Sequence, residues 1–455
     1  MENKKALAKV DRALLRSAFL AEQQRFAASH PRSRELFERA QGSLLGGVPM
    51  SWMGQWAGAF PIFVTEAAGA HLRDVDGHTY LDLCLGDTGA MTGHAPSRAV
   101  EALSEQARRG LTFMLPTEDA LAVGEELARR FGLPYWQLAM TATDANRFVL
   151  RLAREITERK KVLVFNWCYH GTVDEALVTL EGGEVRARAG SFGPAVDPKE
   201  TTKVVEFNDL PALEKALAPR DVACVLAEPA LTNIGIVHPE PGFHEALREI
   251  TRRTGTLLVI DETHTICAGP GGYTKAHALD PDLLVIGKPI ASGLPTAAYG
   301  CTADVADRIA KKSGSQWDTT GIGGTLTGNA LALAVIRATL EHVLTPAAYE
   351  KTIPLAERFT AGVASVIEAT SLPWNVTRLG CRAEYWFREV PARNGAEAAA
   401  AVDAELDRYM HLAALNRGIL MTPFHNMALV APQASAADMD RHTAVFEESV
   451  RALLT

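Results

Sequence analysis

The chain has 455 residues, more than one small hydrophobic core requires, so we expect a large domain and a smaller one. Apolar residues make up 47% and charged residues 22%, and the net charge of −8 argues against a general role on nucleic acid. Six scattered cysteines predict buried thiols in a reducing compartment, and neither an 18-residue apolar run nor a signal-peptide core is present. We therefore expect a cytoplasmic protein with no membrane or nucleic-acid partner.

The N-terminal part begins with a helical pattern over residues 4–45, which His30-Pro31 divides in two. A loop rich in Gly, Trp and Met follows, GGVPMSWMGQWAGAFP. The alternating residues around Asp76-Gly77 predict a hairpin with a tight turn. We expect residues 1–75 to be a helical segment and loop that join the smaller domain.

Helical stretches then alternate with short apolar runs from about residue 95 to 310. The runs are 161–165, 223–229, 257–262 and 283–288. Unbroken apolar strands separated by helices are typical of a mostly parallel sheet covered on both faces, so the predicted class is α/β. We expect the large domain over residues 76–330 and a smaller α+β domain over 331–455.

Three ionisable residues stand at the ends of these runs, Glu228, Asp261 and Lys288. Ligands of parallel sheets bind at the carboxyl ends of the strands, so these side chains should converge. Alone, such a lysine is usually a surface charge and such an aspartate a turn cap. Together, an amine that forms an imine and an acid that keeps a heteroaromatic ring protonated are two of the parts that pyridoxal phosphate needs.

Further segments match other parts of such a site. Ala142 and Thr143 precede a helix predicted from Asp144, where free backbone N–H groups favour a phosphate. Thr325 in GGTLTGN is a second candidate for an anion loop, and Tyr169 after the strand KVLVF could stack on a ring. Each feature alone is more often a helix cap, a turn or packing.

The motifs together resemble a known family. In order they are DVDGHTYLDL, TATDAN, YHG, EPALTNIGIVHPEPGF, VIDETHT, GKPIASGLPTAAYG and GGTLTGN, from about residue 25 to the C-terminus. This series resembles the class III (fold type I) pyridoxal-phosphate aminotransferases, in the branch of glutamate-1-semialdehyde aminomutase and the β-amino-acid aminotransferases. The resemblance implies a fold type I transferase, with a large domain built on a seven-stranded-type sheet flanked by helices.

The resemblance also implies roles at the cofactor ring. Lys288 would form the Schiff base with pyridoxal 5′-phosphate and then carry the proton between the substrate and the cofactor. Asp261 would pair with the pyridine nitrogen, and Tyr169 would stack on the ring. Thr263 would pack against the other face, where relatives often have Val, and Glu228 would lie near the phenolic side.

At the phosphate, the resemblance implies contacts from Ala142 and Thr143, where the family usually has Gly-Thr or Gly-Ser. Asp144 replaces the family's common Glu. Thr325 would reach the phosphate of the neighbouring subunit's cofactor, so the resemblance implies a homodimer.

The expected substrate residues depart from the family pattern. Relatives carry a carboxylate-binding arginine in the loop after GGV, and some carry another near the C-terminus; this chain has neither. Trp52, Met53 and Trp56 would instead form an apolar pocket, or they only pack the loop. Arg382 could supply a relocated carboxylate clamp, or it could simply pair with Glu384 or be a surface charge.

We therefore expect a transaminase that moves an amino group between a primary amine or amino acid with an apolar group and a keto acid, with pyruvate as the expected acceptor, by ping-pong kinetics. One alternative on the same cofactor is an aminomutase of the glutamate-1-semialdehyde type or an amino-acid racemase. Another is a ligand-binding or regulatory protein that retains the fold. The presence of both Lys288 and Asp261 argues against the last.

Overall fold

The computed structural model describes residues 9–313 and 321–454, whose contacts divide into two compact units. The first unit comprises the described parts of Met1–Pro96, Ala347–Pro391 and Ala401–Thr455. The second unit comprises the described parts of Ser97–Pro346 and Ala392–Ala400.

The helices of the described residues follow in chain order. They are α1 (Arg12–Ser29), α2 (Pro31–Ala40), α3 (Ser97–Arg109), α4 (Glu118–Phe131), α5 (Ala142–Thr157), α6 (Pro198–Thr201), α7 (Leu210–Leu217), α8 (Phe243–Thr254), α9 (Gly272–Ala276), α10 (Ala303–Ser313), α11 (Ala330–His342), α12 (Pro346–Thr370), α13 (Gly395–Ala399), α14 (Ala404–Leu415) and α15 (Ala436–Arg451). Short 3-10 turns occupy Leu45–Gly47, Ser51–Gly54, Asp174–Ala176, Thr265–Ala268 and Lys288–Ala291.

The strands of the described residues are short, as in most sheets of this class. They are β1 (Val64–Ala68), β2 (His71–Asp74), β3 (Thr79–Asp82), β4 (Tyr135–Ala139), β5 (Lys161–Phe165), β6 (Val178–Glu181), β7 (Glu184–Ala187), β8 (Thr202–Val205), β9 (Val222–Ala227), β10 (Leu257–Asp261), β11 (Leu283–Ile286), β12 (Ala297–Cys301), β13 (Asn375–Leu379), β14 (Arg382–Trp386), β15 (Ile419–Leu420) and β16 (Met427–Leu429).

A seven-stranded sheet of order β4-β12-β11-β10-β9-β5-β8 forms the centre of the second unit. β12 runs antiparallel to both of its neighbours, while the other adjacent pairs are parallel. Every residue of β9, β10 and β11 is buried, which explains their continuous apolar sequences. The expected mostly parallel α/β sheet is therefore confirmed.

The first unit contains two smaller sheets, of order β1-β2-β3-β15 and β13-β14-β16. β2 and β3 pair antiparallel across the Asp76-Gly77 turn, which confirms the predicted hairpin. β15 pairs parallel with β3, so a C-terminal segment completes a sheet begun near the N-terminus. The domain boundaries expected after residues 75 and 330 stay a prediction; a division after residue 75 would cut through this hairpin.

Helix α1 ends at Ser29 and α2 begins at Pro31, where the predicted break lies. A proline is well placed at the first position of a helix, because its missing N–H would have no helical acceptor there. Within residues 9–313 and 321–454, no single helix is long and apolar enough to cross a membrane; only α11 and α12 taken together meet that test of length and composition. All six cysteines lie in the described residues and are free thiols.

Candidate active site

Three neighbouring strands deliver the predicted ionisable residues to one edge of the large sheet. Asp261 is the last residue of β10, and Glu228 follows the end of β9 directly. β11 ends at Ile286, two residues before Lys288. Since β9, β10 and β11 are adjacent and parallel, their carboxyl ends lie side by side. The predicted convergence of these side chains follows from this register.

The sequence pattern predicts Lys288 as the last residue of its strand. In the structure it lies just beyond the end of β11. Its φ of 52° falls in the left-handed region, which is unusual for a residue other than glycine. Pro289 follows, and the chain enters the 3-10 turn Lys288–Ala291. Such strained backbone is found most often at functional sites, where the surrounding structure holds it in place. The Lys288 Nζ atom lies 2.8 Å from Nε2 of His264.

Asp261 is buried and accepts hydrogen bonds on both carboxylate oxygens. Oδ2 lies 2.9 Å from Nδ2 of Asn146 and 2.9 Å from Nδ1 of His170, and Oδ1 accepts the Thr263 N–H at 3.1 Å. Burial alone would raise the pKa of Asp261, but the hydrogen bond and the charge of His170 outweigh it and lower that pKa to about 2. Asp261 is therefore a permanent anion.

His170 is the cationic half of this buried pair. Burial alone would lower the pKa of His170, but neighbouring Cys168 and the Asp261 carboxylate raise it to about 10. Asn146 also donates to the His170 carbonyl, at 3.1 Å. Neither His170 nor Asn146 is among the predicted site residues, although they lie in the motifs YHG and TATDAN.

Glu228 is buried and binds the loop that carries Tyr169. Its Oε1 accepts the Tyr169 N–H at 3.2 Å, and its Oε2 accepts the N–H of Thr232 at 3.0 Å and the hydroxyl of the same residue. Burial raises the pKa of Glu228. The structure thus shows Glu228 orienting the backbone around Tyr169, which is half-buried.

The N-terminus of α5 provides the predicted anion cradle. The helix begins at Ala142, two residues before the predicted start, because Thr141 is its N-cap and accepts the Asp144 N–H at 3.2 Å. The first N–H groups of a helix have no acceptor within it. A Cβ on Gly287 would lie only 3.0 Å from that of Ala142, so the glycine before Lys288 allows β11 to approach the cradle closely.

The donor set fits pyridoxal phosphate. Helix N–H groups suit its phosphate, and the Lys288 amine suits its aldehyde. A carboxylate oxygen accepts two hydrogen bonds, and among the described contacts Asp261 Oδ1 receives one, from the Thr263 N–H. Asp261 can therefore also accept the N–H of a protonated pyridine ring.

The other predicted phosphate residue, Thr325, is exposed in the second unit. All of its GGTLTGN loop lies within the described residues. The predicted partner of Thr325 belongs to another subunit, so its role stays a prediction.

The predicted substrate residues all belong to the first unit. Trp52 is 37% exposed and its ring lies edge-on to Phe424, with 5.4 Å between centroids. Trp56 packs against a buried apolar cluster. Arg382 on β14 is 0% exposed, and a carboxylate would have to enter the interior of this unit to reach it. Glu384 binds Nδ1 of His425 at 2.6 Å.

Comparison with known proteins agrees with this geometry. Residues 52–448 match the family model described as aminotransferase class-III. The chain is 35% identical over 430 residues to the glutamate-1-semialdehyde 2,1-aminomutase of Sorangium cellulosum (strain So ce56), which covers 93% of this chain and 97% of the relative.

Two solved structures are also similar. One is a glutamate-1-semialdehyde-aminomutase from Pseudomonas aeruginosa PAO1, with 50% identity, a TM-score of 0.96 and coverage of 98% of this chain and 100% of that one. The other, a lysine-to-alanine variant of a glutamate-1-semialdehyde-aminomutase from the same organism in complex with PMP, has 49% identity, a TM-score of 0.96 and the same coverage.

Proposed function

Because this chain belongs to the class-III aminotransferases and is a pyridoxal-phosphate-dependent enzyme of fold type I, we propose that it moves an amino group within one small amino-aldehyde or amino-ketone substrate, as an aminomutase. One observation carries the catalytic part of the proposal. The Lys288 amine, the Asp261 carboxylate and the N-terminus of α5 lie in one compact unit, and Asn146 of α5 hydrogen-bonds Asp261. The aminomutases among its relatives support the intramolecular transfer.

Each residue then has a task. When bound, pyridoxal phosphate supplies an electron sink that stabilises negative charge on a substrate carbon. Asp261, kept ionised by His170, holds the ring nitrogen protonated. Lys288 would hold the cofactor covalently and, once the substrate amine has replaced it, would carry a proton between carbon atoms as base and then acid. The backbone of Ala142 and Thr143 binds the phosphate.

We also propose a homodimer in which Thr325 reaches the cofactor of the partner subunit. An exposed apolar segment of the second unit supports this proposal, with Met114 76% and Leu115 73% exposed. The segment contacts the start of α11, where the Leu331 N–H donates to the Leu111 carbonyl at 3.4 Å. Large apolar surfaces of this kind usually mark an interface. Sedimentation should give twice the chain mass, and Thr325→Ala should weaken cofactor binding without altering that mass.

A transaminase acting between two substrates is the second candidate. The loop over Ser51–Gly54 carries no arginine, and its Trp52 packs on Phe424. This favours a donor with an apolar group, since carboxylates are usually held by bidentate arginine. A keto acid, with pyruvate as our expectation, would be the acceptor. The expected donors for this candidate include amino acids as well as simple amines.

The test separates the two candidates with purified, cofactor-loaded protein. Glutamate-1-semialdehyde supplied alone should yield 5-aminolevulinate if the enzyme is an aminomutase. β-Phenylalanine and 1-phenylethylamine, each with pyruvate or 2-oxoglutarate, should yield a free ketone or keto acid only if it is a transaminase. Loss of optical activity from a single amino acid, with no keto product, would identify a racemase.

A separate experiment tests the covalent role of Lys288. Borohydride reduction followed by peptide mass spectrometry should place the cofactor on Lys288, and Lys288→Ala should bind it without a reducible link. Attachment at another lysine would refute the assignment of the site.

A further inference from the structure

His264 contacts the amine of Lys288, and the proposed function gives it no role. The residue is 9% exposed, and its Nε2 atom lies 2.8 Å from Lys288 Nζ. It stands three residues after Asp261, in the turn that leaves β10. A buried histidine is often only a packing residue, so a role for His264 has to be inferred from the group that it contacts.

The backbone on both sides of this contact is fixed. Lys288 is held in the left-handed region and followed by a proline. On the other side, Glu262 accepts hydrogen bonds from the Tyr273 N–H at 3.1 Å and the Thr265 hydroxyl at 2.5 Å, and its carbonyl accepts the N–H of Ile266. The turn that carries His264 is thus tied down immediately before and after that residue.

We propose that His264 is a positioning residue for Lys288, a role that rests on the proposed attachment of the cofactor to this lysine. The imidazole accepts one N–H of the Lys288 amine through Nε2. The nitrogen lone pair then points away from His264 and stays available for reaction. After Lys288 has taken a proton from the substrate, the same hydrogen bond stabilises the ammonium group, and bonds to a charged group are the stronger ones.

His170, the other histidine of the site, binds the Asp261 carboxylate through Nδ1. His264 differs in having a partner that must gain and lose a proton in every turnover. An imidazole suits such a partner, since its ring nitrogen can accept a hydrogen bond or give up a proton as the amine changes state.

The experiment measures how fast Lys288 links to its cofactor. In this step Lys288 Nζ adds to the aldehyde carbon of pyridoxal phosphate, a carbon–nitrogen double bond forms, and water leaves. Cofactor-free protein is mixed with pyridoxal phosphate, and borohydride quenches samples over time. Peptide mass spectrometry then counts the Lys288 peptide that carries the cofactor. No knowledge of the substrate is needed.

We expect His264→Met to slow this rate by about tenfold, as for the loss of one hydrogen bond to the neutral amine. His264→Gln, whose amide oxygen also accepts a hydrogen bond, should recover most of the rate. Added imidazole should accelerate His264→Gly in a saturable manner, which a purely structural role would not produce. His244→Gln is the matched control, since His244 is a partly buried histidine that binds the Pro229 carbonyl, and it should leave the rate unchanged.

Equal rates in the native protein and both the Met and Gln variants would overturn the inference, provided that the cofactor still attaches to Lys288. Attachment elsewhere, or none in the native protein, would refute the proposed function instead. If His264→Met fails to fold, the Gln and Gly variants decide: slow linkage in Gly that imidazole does not restore would also overturn the positioning role.

Discussion

The buried pair of His170 and Asp261 leads to a pH-dependent stability that can be measured. The substitution His170→Asn keeps a hydrogen-bond donor near the position of Nδ1 but removes the positive charge. Asp261 would then remain a buried carboxylate with the amide of Asn146 as its main partner. A buried ion that loses its counter-ion is strongly destabilising.

The magnitude follows from the Asp261 carboxylate. Its pKa falls from 3.8 to about 2, which corresponds to about 2.4 kcal/mol of stability at pH 6. This contribution is present above pH 3.8 and disappears as the pH falls through 2. The pKa of His170 is raised from 6.5 to about 10, so its contribution is complete below pH 6.5 and is lost as the pH rises toward 10.

We therefore expect His170→Asn to lower the free energy of unfolding by at least about 2 kcal/mol at pH 6, and by less at pH 9, where part of the contribution of the His170 charge is lost. Between pH 6 and pH 9 this destabilisation should decline by no more than about 1.4 kcal/mol per pH unit. Urea unfolding of the cofactor-free protein, with hydrogen exchange of peptides covering β10, measures the effect where the pair lies. Coverage of β10 matters because two units need not unfold together.

His244→Asn is the control with the opposite sign. Burial lowers the pKa of His244, so the native protein loses stability through this residue as the pH falls below 6.5. The cost of removing His244 should therefore shrink at low pH, whereas the cost of removing His170 should shrink at high pH. A destabilisation by His170→Asn that is the same at pH 6 and pH 9 would refute the charged pair.

Three further predictions concern the walls of the site. Gly287→Ala, with its Cβ 3.0 Å from that of Ala142, should weaken pyridoxal-phosphate binding about tenfold in equilibrium dialysis, and unchanged affinity would argue against a cradle there. Gly171→Ala combines a φ of 79° with a Cβ 2.1 Å from the Thr143 hydroxyl, so urea unfolding should show a loss of at least about 1–3 kcal/mol. Glu228→Gln replaces one acceptor oxygen by a donor that faces N–H groups, so it should cost about 1–3 kcal/mol in the same assay; a neutral effect would contradict the hydrogen bonds described.

Much of the large sheet could be predicted from short apolar runs. The run 161–165 coincides with β5, and the run 257–262 extends one residue beyond β10. Such strands are covered on both faces, so burial alone dictates an uninterrupted apolar sequence. Helix α5 begins two residues before its predicted start, because Thr141, rather than a later residue, provides the N-cap.

The partners of the ionisable groups could not be predicted in the same way. His264 and Lys288 are 24 residues apart, His170 and Asp261 are 91 apart, and Asn146 is 115 residues from that same aspartate. No local pattern encodes such pairs, because they arise only when strand order and loop conformation are known. The motif resemblance identified the segments, and the geometry identified which of their side chains meet.

The two histidines of the site have different roles, and a double variant can test whether those roles are independent. His170 serves as a fixed cation that keeps Asp261 ionised, whereas His264 accepts a hydrogen bond from an amine whose own charge changes. If the roles are independent, the double variant His170→Asn, His264→Met should slow cofactor linkage by the product of the two single effects. A double variant no slower than the worse single variant would show that both histidines act on Lys288 through one shared network.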